Sequence, residues 1–228
     1  SHRSYNIMLL ILQIQIILIN VSVSNVISAS DNKYHIQQHG PVDSVESVNL
    51  FTITIIGGSQ GAKIFDNLVH QSLAKVSKSI NIKVIHQTSE SNKNFLINFY
   101  KENRIEHQVF VFEKDLNKLL IKSDLCITRG GASSLAELSL LKVPFISIPL
   151  PSAMDNHQYE NAKFYEAQNT CWIINQKDFE KQNFEDLLLN IIKNKEEYLV
   201  KKKNLENLNY QNTWINVNQN LLSILNEN

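Results

Sequence analysis

The chain has 228 residues, 43% of them apolar, and its 22 basic and 22 acidic side chains cancel. That length can bury a sizeable core as one domain or two small ones, and the plentiful Ile and Leu exclude global disorder. A net charge of zero leaves no basic field to hold a nucleic-acid backbone, and two cysteines, Cys126 and Cys171, exclude a disulfide scaffold or a four-cysteine zinc site. Both cysteines sit in apolar surroundings and read as buried, reduced thiols, so the composition points to a soluble, cytosolic α/β domain.

Residues 1–49 differ from the rest. Ile7 to Ile19 is apolar except for Gln13 and Gln15, and small polar residues follow. A signal peptide and a single transmembrane helix are two readings, the second weakened by Gln13, Gln15 and Asn20 within a span that needs about 20 apolar residues. The reading placed first is a remnant or mistranslated part of a longer protein.

Residues 50–228 are regular. Phe51 to Ile56 is a β-branched run that stops at Gly57-Gly58, a strand and a turn. Ala62 to Val76 has apolar residues at helical spacing. Strands are then expected at Ile82–Ile85, Val109–Phe112, Leu125–Thr128, Phe145–Ile148 and Cys171–Ile174. Helices are expected at Asn92–Asn103, Leu116–Ile121, Ala132–Leu141, Asn156–Gln168 and over most of Phe179–Leu225. Six alternations of strand and helix predict a Rossmann-like doubly wound parallel sheet, with ligands at the carboxyl ends of its strands.

Three loops there carry chemistry. The first, Gly57-Gly-Ser-Gln-Gly-Ala62, lets the backbone approach a ligand ahead of a helix N-terminus, a place for phosphate oxygens, although plain turn geometry explains it as well. It is neither a G-x-G-x-x-G dinucleotide turn nor a Walker loop. The second runs Thr128-Arg-Gly-Gly-Ala-Ser-Ser-Leu-Ala-Glu137. Here Ser133, Ser134 and Glu137 fall near one helical face, and Glu137 either accepts hydrogen bonds from ribose hydroxyls or closes an S-x-x-E capping box with Ser134. Arg129 beside it fits a buried salt bridge or a substrate contact equally. The third, Pro149-Leu-Pro151 and then Asp155-Asn-His-Gln158, opens a helix with four polar residues suited to a polyol, although Asp155 also suits an N-cap. His157 has no metal partner at helical spacing and reads as a hydrogen-bonding residue. Together the loops fit a nucleotide-sugar.

These residues, with His86-Gln87 after the second strand and Asn161-Ala162 in the helix that the third loop opens, resemble the carboxy-terminal half of the MurG family over roughly residues 50–228. The resemblance implies the UDP-sugar-binding half of a two-domain GT-B glycosyltransferase. That family is inverting and transfers N-acetylglucosamine from UDP-N-acetylglucosamine to undecaprenyl-diphosphate-muramyl-pentapeptide, in peptidoglycan synthesis and hence in cell shape and division. It places Ser59, Gln60 and Gly61 near the diphosphate, and Ala132, Ser133 and Ser134 along the phosphate–ribose loop. Glu137 falls on the ribose, Glu113 opposite the uracil through its backbone, and His157 and Gln158 on the sugar hydroxyls. It further implies a peripheral site on the inner face of the cell membrane.

The chain also departs from that pattern. Residues 1–49 lack the Gly-Gly-Thr-Gly-Gly-His loops of the family's amino-terminal domain, its Asn-Pro-Val-Arg linker and its candidates for the catalytic base. No D-x-D motif indicates a metal-dependent diphosphate site, and no cofactor is expected. The expectation is therefore a donor-binding half, weak or inactive alone, whose acceptor site lies in a missing half or a partner protein. The rival readings are the donor-binding subunit of a two-subunit transferase, a non-catalytic nucleotide-sugar module, and a sugar-nucleotide epimerase, against which the Asp-Asn-His-Gln cluster argues.

Overall fold

A computed structural model of the chain describes residues 50–57, 64–153 and 156–208. The segment 1–49, and with it every reading of that segment, lies outside the described residues, as do Ser59, Gln60 and Gly61.

Six parallel strands form one sheet in the order β3-β2-β1-β4-β5-β6. They are β1 (Phe51–Ile56), β2 (Ile82–Gln87), β3 (Glu106–Phe110), β4 (Leu125–Thr128), β5 (Phe145–Ser147) and β6 (Cys171–Ile173). One wide π-type stretch, Phe65–Val69, runs directly into α1 (His70–Val76). The remaining helices are α2 (Glu90–Glu102), α3 (Leu116–Leu120), α4 (Ala132–Leu140), α5 (His157–Glu166), α6 (Lys181–Lys193) and α7 (Lys195–Asn207).

The central strands are buried along nearly their whole length because both of their faces are covered. Alternate residues serve two cores. Ile53, Ile55, Ile127 and Ile146 meet Phe65, Val69, Leu73, Leu96, Phe184 and Leu188 on one face. On the other, Ile56, Cys126, Phe145 and Cys171 meet Leu120, Leu135, Leu138, Ala162 and Tyr165. Each fully buried Ile or Leu stabilises the fold by roughly 1.5–3 kcal/mol relative to exposure. Both thiols are buried and unpaired, and burial pushes Cys126 well up and Cys171 to about 12. The two buried threonines of β1 are tied down by the end of the α3–β4 connection. The Thr52 amide donates to Asp124 Oδ2 at 2.8 Å, and Thr54 Oγ1 lies 2.6 Å from Ser123 Oγ.

Two expected elements shift. The third strand is Glu106–Phe110, three residues earlier than the hydrophobic run Val109–Phe112 suggests. It pairs in register from Lys83↔Glu106 to Gln87↔Phe110, with a Lys83–Glu106 ion pair of 2.6 Å. As an edge strand it needs one apolar face only, and Phe112 instead stands out in solvent, 81% exposed. The long carboxy-terminal helix is broken at Asn194, whose side chain accepts from the Glu196 amide and starts α7 afresh. Among the described residues no helix is long and apolar enough to cross a membrane.

Candidate functional site

The chain leaves β1 toward β2 and β3 on one side, then returns to β4 and continues to β5 and β6 on the other. Successive crossovers therefore diverge between β1 and β4, and a crevice opens at the carboxyl ends of those two neighbouring strands. The glycine loop after β4 starts at this crevice, and the polar cluster of the third loop follows β5 on the same edge, while the first glycine loop beyond Gly57 lies outside the described residues.

The loop after β4 is fully described. α4 starts at Ala132 with Gly131 as its N-cap (φ −67°, ψ 129°) and no side-chain cap bond. The first amides of a helix have no acceptor within it, so those of Ala132, Ser133 and Ser134 are available to an anion. This start overturns the capping-box alternative. A box needs its serine at the N-cap, but Ser134 lies inside the helix with Glu137 one turn further. Glu137 is half-buried, and burial raises its carboxyl above the ordinary range. Its carboxylate makes no hydrogen bond or ion pair among the described residues. A carboxylate withdrawn from water with no protein donor is suited to receive ligand hydroxyls.

α5 closes the second side. Asn156 precedes it in the left-handed region (φ 56°), a conformation asparagine tolerates, and delivers His157 and Gln158 to the first turn. His157 is exposed and Gln158 half-buried. The Gln158 Oε1 already accepts the Leu150 amide at 2.9 Å, which pins the proline-rich loop and leaves its Nε2 as the group free to donate to a ligand. Asp155 lies outside the described residues.

Arg129 does not form the buried salt bridge, one of its two expected roles. Among the described residues it pairs with no carboxylate. One guanidinium nitrogen donates to the Ile148 carbonyl at 3.0 Å and to Gln176 Oε1 at 2.7 Å, while the group lies 5.2 Å over the Phe65 ring. It thus ties the ends of β4 and β5 to the turn after β6 and to the first helical stretch. Burial pulls its pKa down. Glu113 is half-buried, and its Oε1 accepts the Asp115 amide at 3.0 Å, shaping the turn after β3.

Three contributors carried too little sequence signal. Gln87 was part of a motif without a role, and its Oε1 accepts the Gly57 amide at 3.1 Å, bracing the start of the first glycine loop. Asn161 is buried, and its amide donates to the Gly130 carbonyl at 3.0 Å. Gln176 lies far along the chain from Arg129, which it holds. A buried polar group joins the π-type stretch to the end of β2 and the start of α2. Asp66 accepts from Thr88 (2.9 Å) and Asn92 (2.8 Å), and His86, bonded to Tyr100 at 2.7 Å, faces it at 3.5 Å. A cavity of about 350 Å³ adjoins the site at the edge of β5 and β6, between Leu150, Asn156, Tyr159 and Lys177. Neither Glu137 nor the serines of α4 line it. No group of three or more potential metal ligands occurs among the described residues.

The family model "Glycosyltransferase family 28 C-terminal domain" matches residues 52–213. A curated relative from Pelagibacter ubique, named UDP-N-acetylglucosamine–N-acetylmuramyl-(pentapeptide) pyrophosphoryl-undecaprenol N-acetylglucosamine transferase, is 46% identical over 82% of this chain and 52% of its own length. A relative of the same name from Rickettsia massiliae is 37% identical over 64% of this chain and 39% of its own. The chain thus spans about half the length of the first of these relatives and less of the second. Among solved structures, the crystal structure of Acinetobacter baumannii MurG superposes with a TM-score of 0.63 at 24% identity, over 71% of this chain and 46% of that one, a likeness of fold.

Proposed function

This chain belongs to the family of glycosyltransferase family 28 C-terminal domains, and on that premise we propose that it is the donor-binding half of an inverting transferase. The donor is UDP-N-acetylglucosamine and the acceptor the lipid-linked muramyl-pentapeptide, the substrates in the names of its relatives.

The observation that carries this reading is Glu137. It is half-buried one turn into α4 and has no donor of its own among the described residues, and the free amides of the same helix precede it. On this reading its carboxylate accepts the ribose hydroxyls, while Ala132, Ser133 and Ser134 meet the phosphate–ribose linkage. Ser59, Gln60 and Gly61 face the diphosphate, the backbone of Glu113 the uracil, and His157 with the Gln158 amide the sugar. Transfer displaces UDP from the anomeric carbon by the acceptor hydroxyl, with inversion. Negative charge grows on the departing diphosphate, and helix N-termini aimed at it stabilise that charge without reorganising. The base that takes the acceptor's proton comes from an acceptor-binding half, on the same longer chain or on a partner subunit. That half meets the acceptor at the inner face of the cell membrane, where the product serves cell-wall growth, cell shape and division.

Titration of the chain with UDP-N-acetylglucosamine and then UDP-glucose tests the reading. Saturable binding that prefers the N-acetylated sugar, weakened about tenfold or more in Glu137→Ala, is expected; a lost charged hydrogen bond of about 1.5–3 kcal/mol accounts for that factor. A folded sample that binds neither nucleotide-sugar overturns it. Activity of the chain alone equal to that of a two-domain enzyme overturns the need for a second half.

A further inference from the structure

Asn161 has no surface to offer a ligand: it is 4% exposed, one turn inside α5 from His157 and Gln158. Its amide donates to the carbonyl of Gly130. Gly130 in turn lies so close to α5 that a side-chain Cβ there would stand 2.1 Å from the Gln158 carbonyl oxygen. The loop after β4 is therefore seated directly on the backbone of α5, and Asn161 locks it there. Because a peptide unit is planar and trans, holding the Gly130 carbonyl toward α5 turns the Gly131 N–H to the opposite side, away from α5. That N–H has no acceptor among the described residues, and Gly131 is the N-cap of α4. The same helix also holds the loop after β5, through Gln158 and the Leu150 amide.

We propose that Asn161 is a positioning residue for donor binding. By fixing the Gly130–Gly131 peptide to α5, it sets the distance and angle between the phosphate-facing start of α4 and the sugar-facing start of α5. The diphosphate and the hexose of one nucleotide-sugar are then gripped together. The uridine end rests on Glu137 and the turn after β3, which Asn161 does not touch. This inference rests on the donor-site reading above.

The experiment compares uridine with UDP-N-acetylglucosamine on the whole chain by ligand-observed NMR, which reads millimolar dissociation constants. In Asn161→Leu, similar in size but without the donor, the preference for UDP-N-acetylglucosamine over uridine is expected to fall about tenfold, with uridine affinity within about twofold of the parent. A variant that loses the two ligands in proportion, or neither, overturns the positioning role and leaves the donor-site reading standing. A parent chain that binds neither ligand overturns the donor-site reading itself. Should Asn161→Leu lack a cooperative unfolding transition, Asn161→Ser, smaller and unable to reach the Gly130 carbonyl, replaces it under the same criterion.

Discussion

Adjacent glycines after β4 offer a comparison in which one position is the control for the other. A Cβ on Gly130 would meet the oxygen, carbonyl carbon and Cα of Gln158 at 2.1, 2.7 and 3.0 Å, all backbone atoms. A Cβ on Gly131 would meet only Ser134 Oγ, at 3.8 Å. Relief at position 130 requires the start of α5 to move by about 1 Å or more before contacts become attractive. Overpacking of this kind costs about 1–3 kcal/mol. The same movement stretches the Asn161–Gly130 hydrogen bond, a further 0.5–1.5 kcal/mol or so. Gly130→Ala should therefore lose about 2–4 kcal/mol, or about 5–15 °C in Tm for a domain of this size. In Gly131→Ala, the weaker N-capping of alanine is offset by the lower entropy of its unfolded chain, and the change stays within about 2 °C. Thermal unfolding followed by circular dichroism separates the two. If both variants melt within about 2 °C of each other, the close seating of the loop on α5 is wrong, and the positioning role of Asn161 falls with it.

Two further outcomes concern titration. Burial raises the Glu137 carboxyl in the folded state, so the native protein keeps this proton longer than the unfolded chain and ionising the group lowers stability. Glu137→Gln should therefore melt with the parent near pH 4 and about 1–3 °C above it at pH 7; a variant less stable at pH 7 refutes the reading of Glu137 as an uncompensated carboxylate. His70 moves the other way: burial first, then the neighbouring His86, depresses it to about 4, with Asp66 opposing and Lys181 assisting. The unfolded chain takes up this proton first, so stability present above about pH 6.5 is lost as pH falls from there toward 4. His70→Phe, in a site where the ring already packs edge-on to Phe95 and Phe99, should flatten the Tm–pH curve over that interval. An unchanged slope refutes it.

Much of this protein is written locally. The β-branched run Phe51–Ile56, the helical spacing of Phe65, Val69 and Leu73, and the glycines that interrupt them specify strand, helix and turn without reference to the rest of the chain. Burial demands a fixed period from each element, and that period is visible in sequence. Cys126 and Cys171 are legible for the same reason, being flanked by residues that have to be inside. Which groups meet is another matter. Val109–Phe112 is more apolar than Glu106–Phe110, yet the strand lies over the latter because β2 sets its register. Ser134 and Glu137 fit a capping box until the helix is found to start at Ala132. Arg129 meets Gln176 and Asn161 meets Gly130 only because β4, β5 and β6 lie side by side with their helices on them, and such pairs have no characteristic spacing along the chain. The sequence by itself determined the elements and which loops hold ligand-suited residues, since these follow from periodicity and backbone freedom. Tertiary structure alone decided which of those residues are held in place, and by what, because packing brings together atoms that the chain keeps far apart.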